Sequence, residues 1–158
     1  MSEGASGSMV NCLIVGRGAK AGRPAVSMEN GRIERCTILE SGIGVRLIKG
    51  GSVKGSIITN CTTILDIGKL ASESIFVDKT ILGLGEVSAD GKKINQESWP
   101  EFVKNSKGMS GAIIDRPALE GLLFLLPKDS PHIKAGENGM TPGANLPPDT
   151  NWKTQLGK

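Results

Sequence analysis

The feature that most constrains the fold is an internal repeat of about 20 residues, which runs from residue 9 to residue 78. Four segments share the pattern apolar-x-x-(Cys/Ser)-x-(Ile/Phe), where x is any residue. The first column of this pattern is Met9, Ile33, Val53 and Ala71, the second is Cys12, Cys36, Ser56 and Ser74, and the third is Ile14, Ile38, Ile58 and Phe76. Two further apolar columns follow in the first three repeats: Val26, Val45 and Leu65, and then Met28, Leu47 and Ile67. A sequence period of this length is typical of stacked-repeat architectures.

Within each repeat the apolar residues lie two positions apart, the spacing at which side chains of a β-strand point to the same face. The runs are short and rich in β-branched residues, glycines separate them, and no helical period lies between them. We therefore predict an all-β parallel β-solenoid of about four coils. Each column would then form a ladder of like side chains inside the coil. A β-sandwich with evenly spaced strands is the alternative.

The corners of such a coil need residues that tolerate a positive φ. Asn30, Gly31 and Asn60 fit this requirement. The small Cys and Ser side chains of the second column suit a tight corner of the cross-section. Because no third ligand accompanies Cys12 and Cys36, we expect a buried, reduced pair rather than a metal site.

Two parts of the chain carry a family resemblance. The phrases N-C-L-I at residues 11–14 and S-I-I-T-N-C at residues 56–61 resemble the parallel β-helix repeats of the pectate-lyase-like superfamily. The phrase S-P-H-I-K-A-G at residues 130–136 is similar to a closing segment of bacterial right-handed β-helix proteins. The resemblance implies right-handed coils, a secreted or cell-surface location, and the carboxy-terminal portion of a longer bacterial repeat protein. Enzymes of that family commonly have more coils than the four predicted here.

The predicted organisation has four parts. Residues 1–8 are small and polar and are interpreted as a linker or the remnant of a longer chain, without the apolar run of a signal peptide. Residues 9–96 form the coils, residues 97–138 a capping segment, and residues 139–158 an extended tail. A cap is expected because a terminal coil exposes unpaired backbone groups. The first coil has no such cap, which predicts self-association through that end or further coils before it.

Composition excludes several classes of function. Aromatic residues are 3% of the chain and Tyr is absent, so a base-stacking platform for nucleic acid is not expected. The net charge of +3 is too small for a dense DNA-binding patch. No apolar run of about 20 residues is present, so no membrane span is predicted. A single His and three Cys give no reason to expect a metal or another cofactor.

Catalysis is not favoured by the arrangement of acidic residues. A polysaccharide lyase needs a base together with a group that stabilises the enolate, and a glycoside hydrolase needs two opposed carboxylates. The acids of the coils do not form such a cluster, and Asp66 is expected to point outward and alone. His132 is interpreted as a turn residue.

Arg35, Arg46, Lys49 and Lys54 occupy outward or corner positions of adjacent coils and are the predicted ligand-binding residues. Stacked cations of this kind would grip the carboxylates or sulfates of an acidic polysaccharide. We therefore predict a non-catalytic β-helix module of a larger secreted or surface protein, which acts as a rigid spacer or a carbohydrate-binding face. The alternatives are a fragment of a pectate-lyase-like lyase or hydrolase and a self-associating structural scaffold.

Overall fold

A computed structural model describes residues 6–17, 22–68, 74–83, 85–121 and 123–146. Within these ranges the chain is a parallel β-solenoid of about three turns, followed by a helix and a long irregular segment. The strands are β1 (Ser6–Val10), β2 (Leu13–Val15), β3 (Pro24–Met28), β4 (Asn30–Glu34), β5 (Thr37–Leu39), β6 (Ile43–Leu47), β7 (Gly51–Lys54), β8 (Ile57–Thr59), β9 (Thr63–Ile67), β10 (Ile75–Leu82), β11 (Glu86–Ala89), β12 (Lys92–Ile94) and β13 (Gly111–Ile114). The helix α1 spans Trp99–Asn105, and 3₁₀ turns span Lys107–Met109 and Glu137–Gly139.

Strands from successive turns stack in parallel on three faces of the coil. The first face is β1, β4, β7 and the start of β10, and the second is β2, β5, β8 and the end of β10. These two faces share β10, which runs through the corner between them. The third face is β3, β6, β9 and β11, and β12 adds to it in the antiparallel direction. The parallel stacking confirms the predicted fold class and excludes the β-sandwich.

The interior consists of ladders of aliphatic side chains from adjacent turns. Their register is Met9–Ile33–Val53–Val77, Ile14–Ile38–Ile58–Leu82, Val26–Val45–Leu65–Val87 and Met28–Leu47–Ile67–Ala89. The first three members of every ladder are the residues that the repeat predicts. Most of these side chains are fully buried in one continuous core. Apolar burial along the axis of the coil is therefore the main stabilising term of the fold.

The fourth repeat was predicted in the wrong register. Phe76 pairs with Ser52 on the outer surface, where its side chain is 58% exposed, and Leu82 takes the predicted place beside Ile58. Thr80, not Ser74, continues the column of Ser56, and Ala71 lies outside the described residues. The physical reason is that the last step of the coil is 24 residues long, so the corner comes six residues later than predicted. The coil also has about three turns rather than four.

The corner between the first two faces is formed by one residue per turn in the left-handed backbone region. These residues are Asn11, Arg35, Gly55 and Lys79, with φ values of 55°, 50°, 53° and 48°. A second corner places Glu40 and Asn60 in the same region, which confirms Asn60 as a corner residue. The positive φ predicted for Asn30 and Gly31 was wrong, because both residues begin β4 after the bend at Glu29 and neither has a positive φ. Gly31 is required there for close packing, since a Cβ would approach the carbonyl oxygen of Gly7 to 2.6 Å.

The residue after each left-handed corner belongs to the Cys/Ser/Thr column, and it satisfies backbone groups that a bend leaves unpaired. The Sγ of Cys36 and the Oγ atoms of Ser56 and Thr80 donate to the carbonyl two residues earlier, at 3.2, 3.0 and 3.0 Å. The hydroxyl oxygens of Ser56 and Thr80 also accept a hydrogen bond from the preceding turn. Cys36 N–H donates to Ser56 Oγ, and Ser56 N–H donates to Thr80 Oγ1. A small hydrogen-bonding side chain is therefore needed at this position.

Helix α1 and the following 3₁₀ turn contribute large side chains to the main core. Trp99 is fully buried and its indole Nε1–H donates to the carbonyl of Ile94 at 3.0 Å. Val103 and Met109 are buried in the same cluster. Gly108 allows the turn to lie against β10, because a Cβ there would come within 1.6 Å of the Ile75 carbonyl oxygen.

The segment after β13 covers the outer side of the second face. Ile57 and Ile81 point out of the coil, yet they are buried because Leu126, Leu119 and Ile133 pack over them. Strands β5 and β8 are therefore buried on both sides, which explains their uninterrupted apolar or Thr residues.

The chain then crosses the turns one after another, from the third to the first. Gly143 N–H donates to the carbonyl of Gly55, and Ala144 N–H donates to Thr37 Oγ1. Asn145 exchanges two hydrogen bonds with the side chain of Asn11. We call residues 141–145 the strap, because they connect the carboxy-terminal segment to three successive levels of the coil, at Gly55, Thr37 and Asn11. The predicted division at residues 8, 96 and 138 stays a prediction.

Candidate ligand-binding site

The four predicted binding residues lie on three separate parts of the coil. Arg46 in β6 and Lys49 just after it belong to the third face, Arg35 is a corner residue, and Lys54 ends β7 on the first face. The structure therefore does not bring them together as a single site.

The charges on the third face are paired between adjacent turns. Arg46 Nε lies 2.6 Å from Asp66 Oδ2, and Lys49 Nζ lies 2.7 Å from Glu29 Oε2. The expectation that Asp66 stands alone was wrong, because the register that stacks β6 on β9 also places Arg46 beside Asp66. These ion pairs compete with any external anion for the two cations.

Lys54 instead borders a groove of about 490 Å³ on the first face. We call it the Phe76 groove, and it is lined by Ser52, Lys54, Phe76, Asp78, Lys107 and Ser110. Its floor is the outer surface of β7 and β10, and its wall is the segment from Lys107 to β13. Its side chains include an exposed aromatic ring, two cations, one carboxylate and two hydroxyl groups.

Local sequence explains why these groups converge. Strand register places Phe76 beside Ser52 and Asp78 beside Lys54, and alternation turns all four side chains away from the core. Gly111 lets the wall approach, since a Cβ at that residue would lie 2.1 Å from the Asp78 carboxylate. Sequence reasoning found Lys54 but missed Phe76, because it had assigned Phe76 to the interior.

A second polar cluster joins the segment after β13 to the turn at 130–133. His132 Nε2 lies 2.5 Å from Asp115 Oδ2, and Arg116 N–H donates to Asp115 Oδ1 at 2.7 Å. These hydrogen bonds, from His132 first and then Arg116, hold the pKa of the Asp115 carboxyl below its ordinary value. His132 does lie in a turn, as predicted. In the part of the chain that the structure describes, no three His, Cys, Asp or Glu side chains are placed to hold a metal ion.

The three cysteines are free thiols, and two of them are buried. Burial raises the pKa of Cys36 to about 11 and also raises the pKa of Cys61. Both thiols are therefore protonated near neutral pH, which suits packing and weak hydrogen bonding rather than nucleophilic chemistry.

The fold defines the chain as a parallel β-solenoid. Comparison with protein-family models, curated protein sequences and solved structures gave no match. The β-solenoid part of the predicted resemblance is confirmed by the strand pairing, and membership of the pectate-lyase-like superfamily stays a prediction. No helix among the described residues is long and apolar enough to cross a membrane.

Proposed function

We propose that the chain is a non-catalytic β-solenoid module that binds an acidic polysaccharide along the Phe76 groove. In this proposal it belongs to a larger secreted or cell-surface protein and presents the groove on a rigid support. The observation that carries the proposal is the exposed ring of Phe76 in a groove that Lys54 and Lys107 also line. Phe76 is 58% exposed, so a ligand that packs on its ring would remove apolar surface from water.

The chemistry of the groove matches that of a charged sugar chain. The apolar C–H face of a pyranose ring packs on an aromatic ring, and the hydroxyls of Ser52 and Ser110 can exchange hydrogen bonds with sugar hydroxyls. Among the described residues of the groove, the cations Lys54 and Lys107 outnumber the carboxylate of Asp78, which favours an anionic ligand. An open groove also allows a polymer to pass through rather than end in the site.

A glycan array at low and high salt tests this proposal. We expect retention of uronic-acid or sulfated polysaccharides at low salt and weaker retention at high salt, because salt screens exposed charges. Phe76→Ala and Lys54→Ala should each weaken binding by about three- to tenfold, the effect of losing one stacking or charge contact. Ile48→Ala and Lys92→Ala are matched controls, since both side chains are exposed outside the groove, and they should leave retention unchanged.

Two results would overturn the proposal. The binding assignment fails if no acidic glycan is retained, or if the Phe76 and Lys54 variants bind as well as the controls. The non-catalytic assignment fails if incubation with acidic polysaccharides releases ultraviolet-absorbing unsaturated products or reducing ends.

A self-associating scaffold is the second candidate, and one feature of the sheets favours it. Among the described strands, β1, β2 and β3 each have a parallel neighbour on one side only, so the first turn presents three open edges at one end of the coil. Open edges pair readily with other strands. Association through this end predicts a light-scattering mass that rises with concentration and falls when a charge is placed at the edge by Val10→Lys. A constant monomer mass would exclude it.

A further inference from the structure

We propose a second binding site, for a small apolar carboxylate, in a cavity of about 440 Å³ between the corner of the coil and the strap. We call it the Met140 cavity, and its main lining residues are Arg35, Phe124, Leu125, Ile133, Lys134 and Met140. The site is separate from the Phe76 groove, so this inference does not depend on the proposed function.

The lining has the composition of a site for an amphipathic anion. The lining includes the apolar residues Phe124, Leu125, Ile133 and Met140, and Leu125 and Met140 are each 42% exposed to solvent. Among the described residues, the lining contains two cations, Arg35 and Lys134, and no Asp or Glu. Neither cation has an ion-pair partner among the described residues, in contrast to Arg46 on the third face. An apolar tail would cover the exposed hydrophobic surface, and a carboxylate would pair with the cations.

The backbone around the cavity is held in place by the rest of the fold. Arg35 lies at the corner with a φ of 50°. Its side chain extends over the next turn, because its Cγ would lie 3.9 Å from a Cβ added at Gly55. The strap passes at the same place, because Gly143 N–H donates to the Gly55 carbonyl. Phe124 also has a left-handed φ of 50°, an unfavourable value for a bulky residue.

The size of the cavity limits the ligand. A volume of 440 Å³ corresponds to roughly 15 water molecules and holds on the order of 10–15 non-hydrogen atoms. This suits a carboxylate with a straight or branched tail of about eight to twelve carbons, within the usual range for small-molecule pockets. Decanoate is therefore the probe of choice.

The test uses the full chain labelled with ¹³C at the methionine methyl groups. We expect decanoate to shift the Met140 methyl resonance, which is assigned by its disappearance in Met140→Leu. 1-Decanol lacks the charge, acetate lacks the tail and decyltrimethylammonium carries the opposite charge, so each should bind at least tenfold more weakly. Decyl phosphate shows whether the site selects a carboxylate or accepts any anionic head group. Tighter binding of decyl phosphate than of decanoate would overturn the carboxylate assignment.

The coil itself supplies a matched pair of variants. Arg35→Asn introduces the residue that Asn11 already provides at the same corner one turn earlier, so the backbone is preserved while the charge is lost. Lys79→Asn makes the same kind of change at the same corner position but away from the cavity lining. Arg35→Asn should weaken decanoate binding at least tenfold, whereas Lys79→Asn should leave it unchanged.

Lys134→Gln serves as a second variant if Arg35→Asn fails to fold, and it should also weaken decanoate binding. The proposal is wrong if decanol binds as tightly as decanoate, if the Met140 resonance does not respond, or if neither charge variant differs from Lys79→Asn. Loss of glycan binding in Phe76→Ala with intact decanoate binding would show that the two sites are independent.

Discussion

Replacing Leu82 by Ala tests the register of the last turn, which sequence and structure assign differently. Leu82 is fully buried, and it stacks between Ile58 of the preceding turn and Ile114 of β13. Truncation of a buried Leu to Ala removes its transfer free energy and leaves a cavity, at a cost of about 3–4 kcal/mol. Phe76→Ala removes a larger side chain, but one that is 58% exposed, so the expected change is about 0.5 kcal/mol or less.

Urea unfolding, monitored by far-ultraviolet circular dichroism, separates the two variants. With a slope of about 2 kcal/mol/M, Leu82→Ala should lower the unfolding midpoint by about 1.5–2 M, while Phe76→Ala should shift it by about 0.3 M or less. An unchanged slope is required, since a changed slope would mean that the unfolded or native state had altered as well. If Phe76→Ala proves the more costly substitution, Phe76 is inside the coil and the register of the last turn is wrong.

Three further outcomes are expected. Arg46→Ala combined with Lys49→Ala should lower the free energy of unfolding by only about 1 kcal/mol, because both ion pairs are partly exposed. A loss above about 3 kcal/mol, measured by chemical denaturation, would contradict this expectation. Because the pKa of Cys36 is raised to about 11, its protonated thiol contributes stability that is fully present below pH 9 and is lost as pH rises from 9 to 11. Cys36→Ser should therefore flatten the decline of the melting temperature at alkaline pH. The lowered pKa of Asp115 stabilises the fold above its ordinary pKa, and this contribution disappears as pH falls through the lowered value. Asp115→Asn should therefore reduce the melting temperature slightly at pH 7, and this reduction should shrink as pH falls below 3.8, the ordinary pKa of Asp. A reduction that stays the same over this range would exclude the proposed role of the charge.

Much of the coil could be predicted from the sequence because its ladders repeat one physical requirement. A residue such as Ile38 must match the residues directly above and below it, so the same residue type recurs at one period and becomes visible in the chain. The register of the last turn was mispredicted because the second column was limited to Cys and Ser and the third to Ile and Phe. The segment from Val77 to Leu82, V-D-K-T-I-L, satisfies the pattern once Thr80 is accepted in the second column as a small hydrogen-bonding residue and Leu82 is accepted in the third.

The sites were harder to predict, for two different reasons. The pairing of Arg46 with Asp66 was accessible, because it follows from the same register that aligns Val45 with Leu65. The two cavities were not accessible, since one wall of each comes from a segment without a repeat, around Lys107 or Met140. Nothing in the local sequence of such a segment fixes which turn of the coil it meets.

The corner between the first two faces shows how a coil of this kind acquires chemistry without losing its fold. Its four left-handed positions carry an amide, a guanidinium, no side chain and an amine, in Asn11, Arg35, Gly55 and Lys79. The backbone requirement is the same in every turn, but the side chain lies outside the aliphatic ladders, so its chemistry is free to vary. The interior columns have the opposite constraint, because each member must fill the space between its neighbours. Substitution of Arg35 at this corner should therefore change binding at nearly constant stability, and substitutions in the columns should change stability at nearly constant intrinsic affinity.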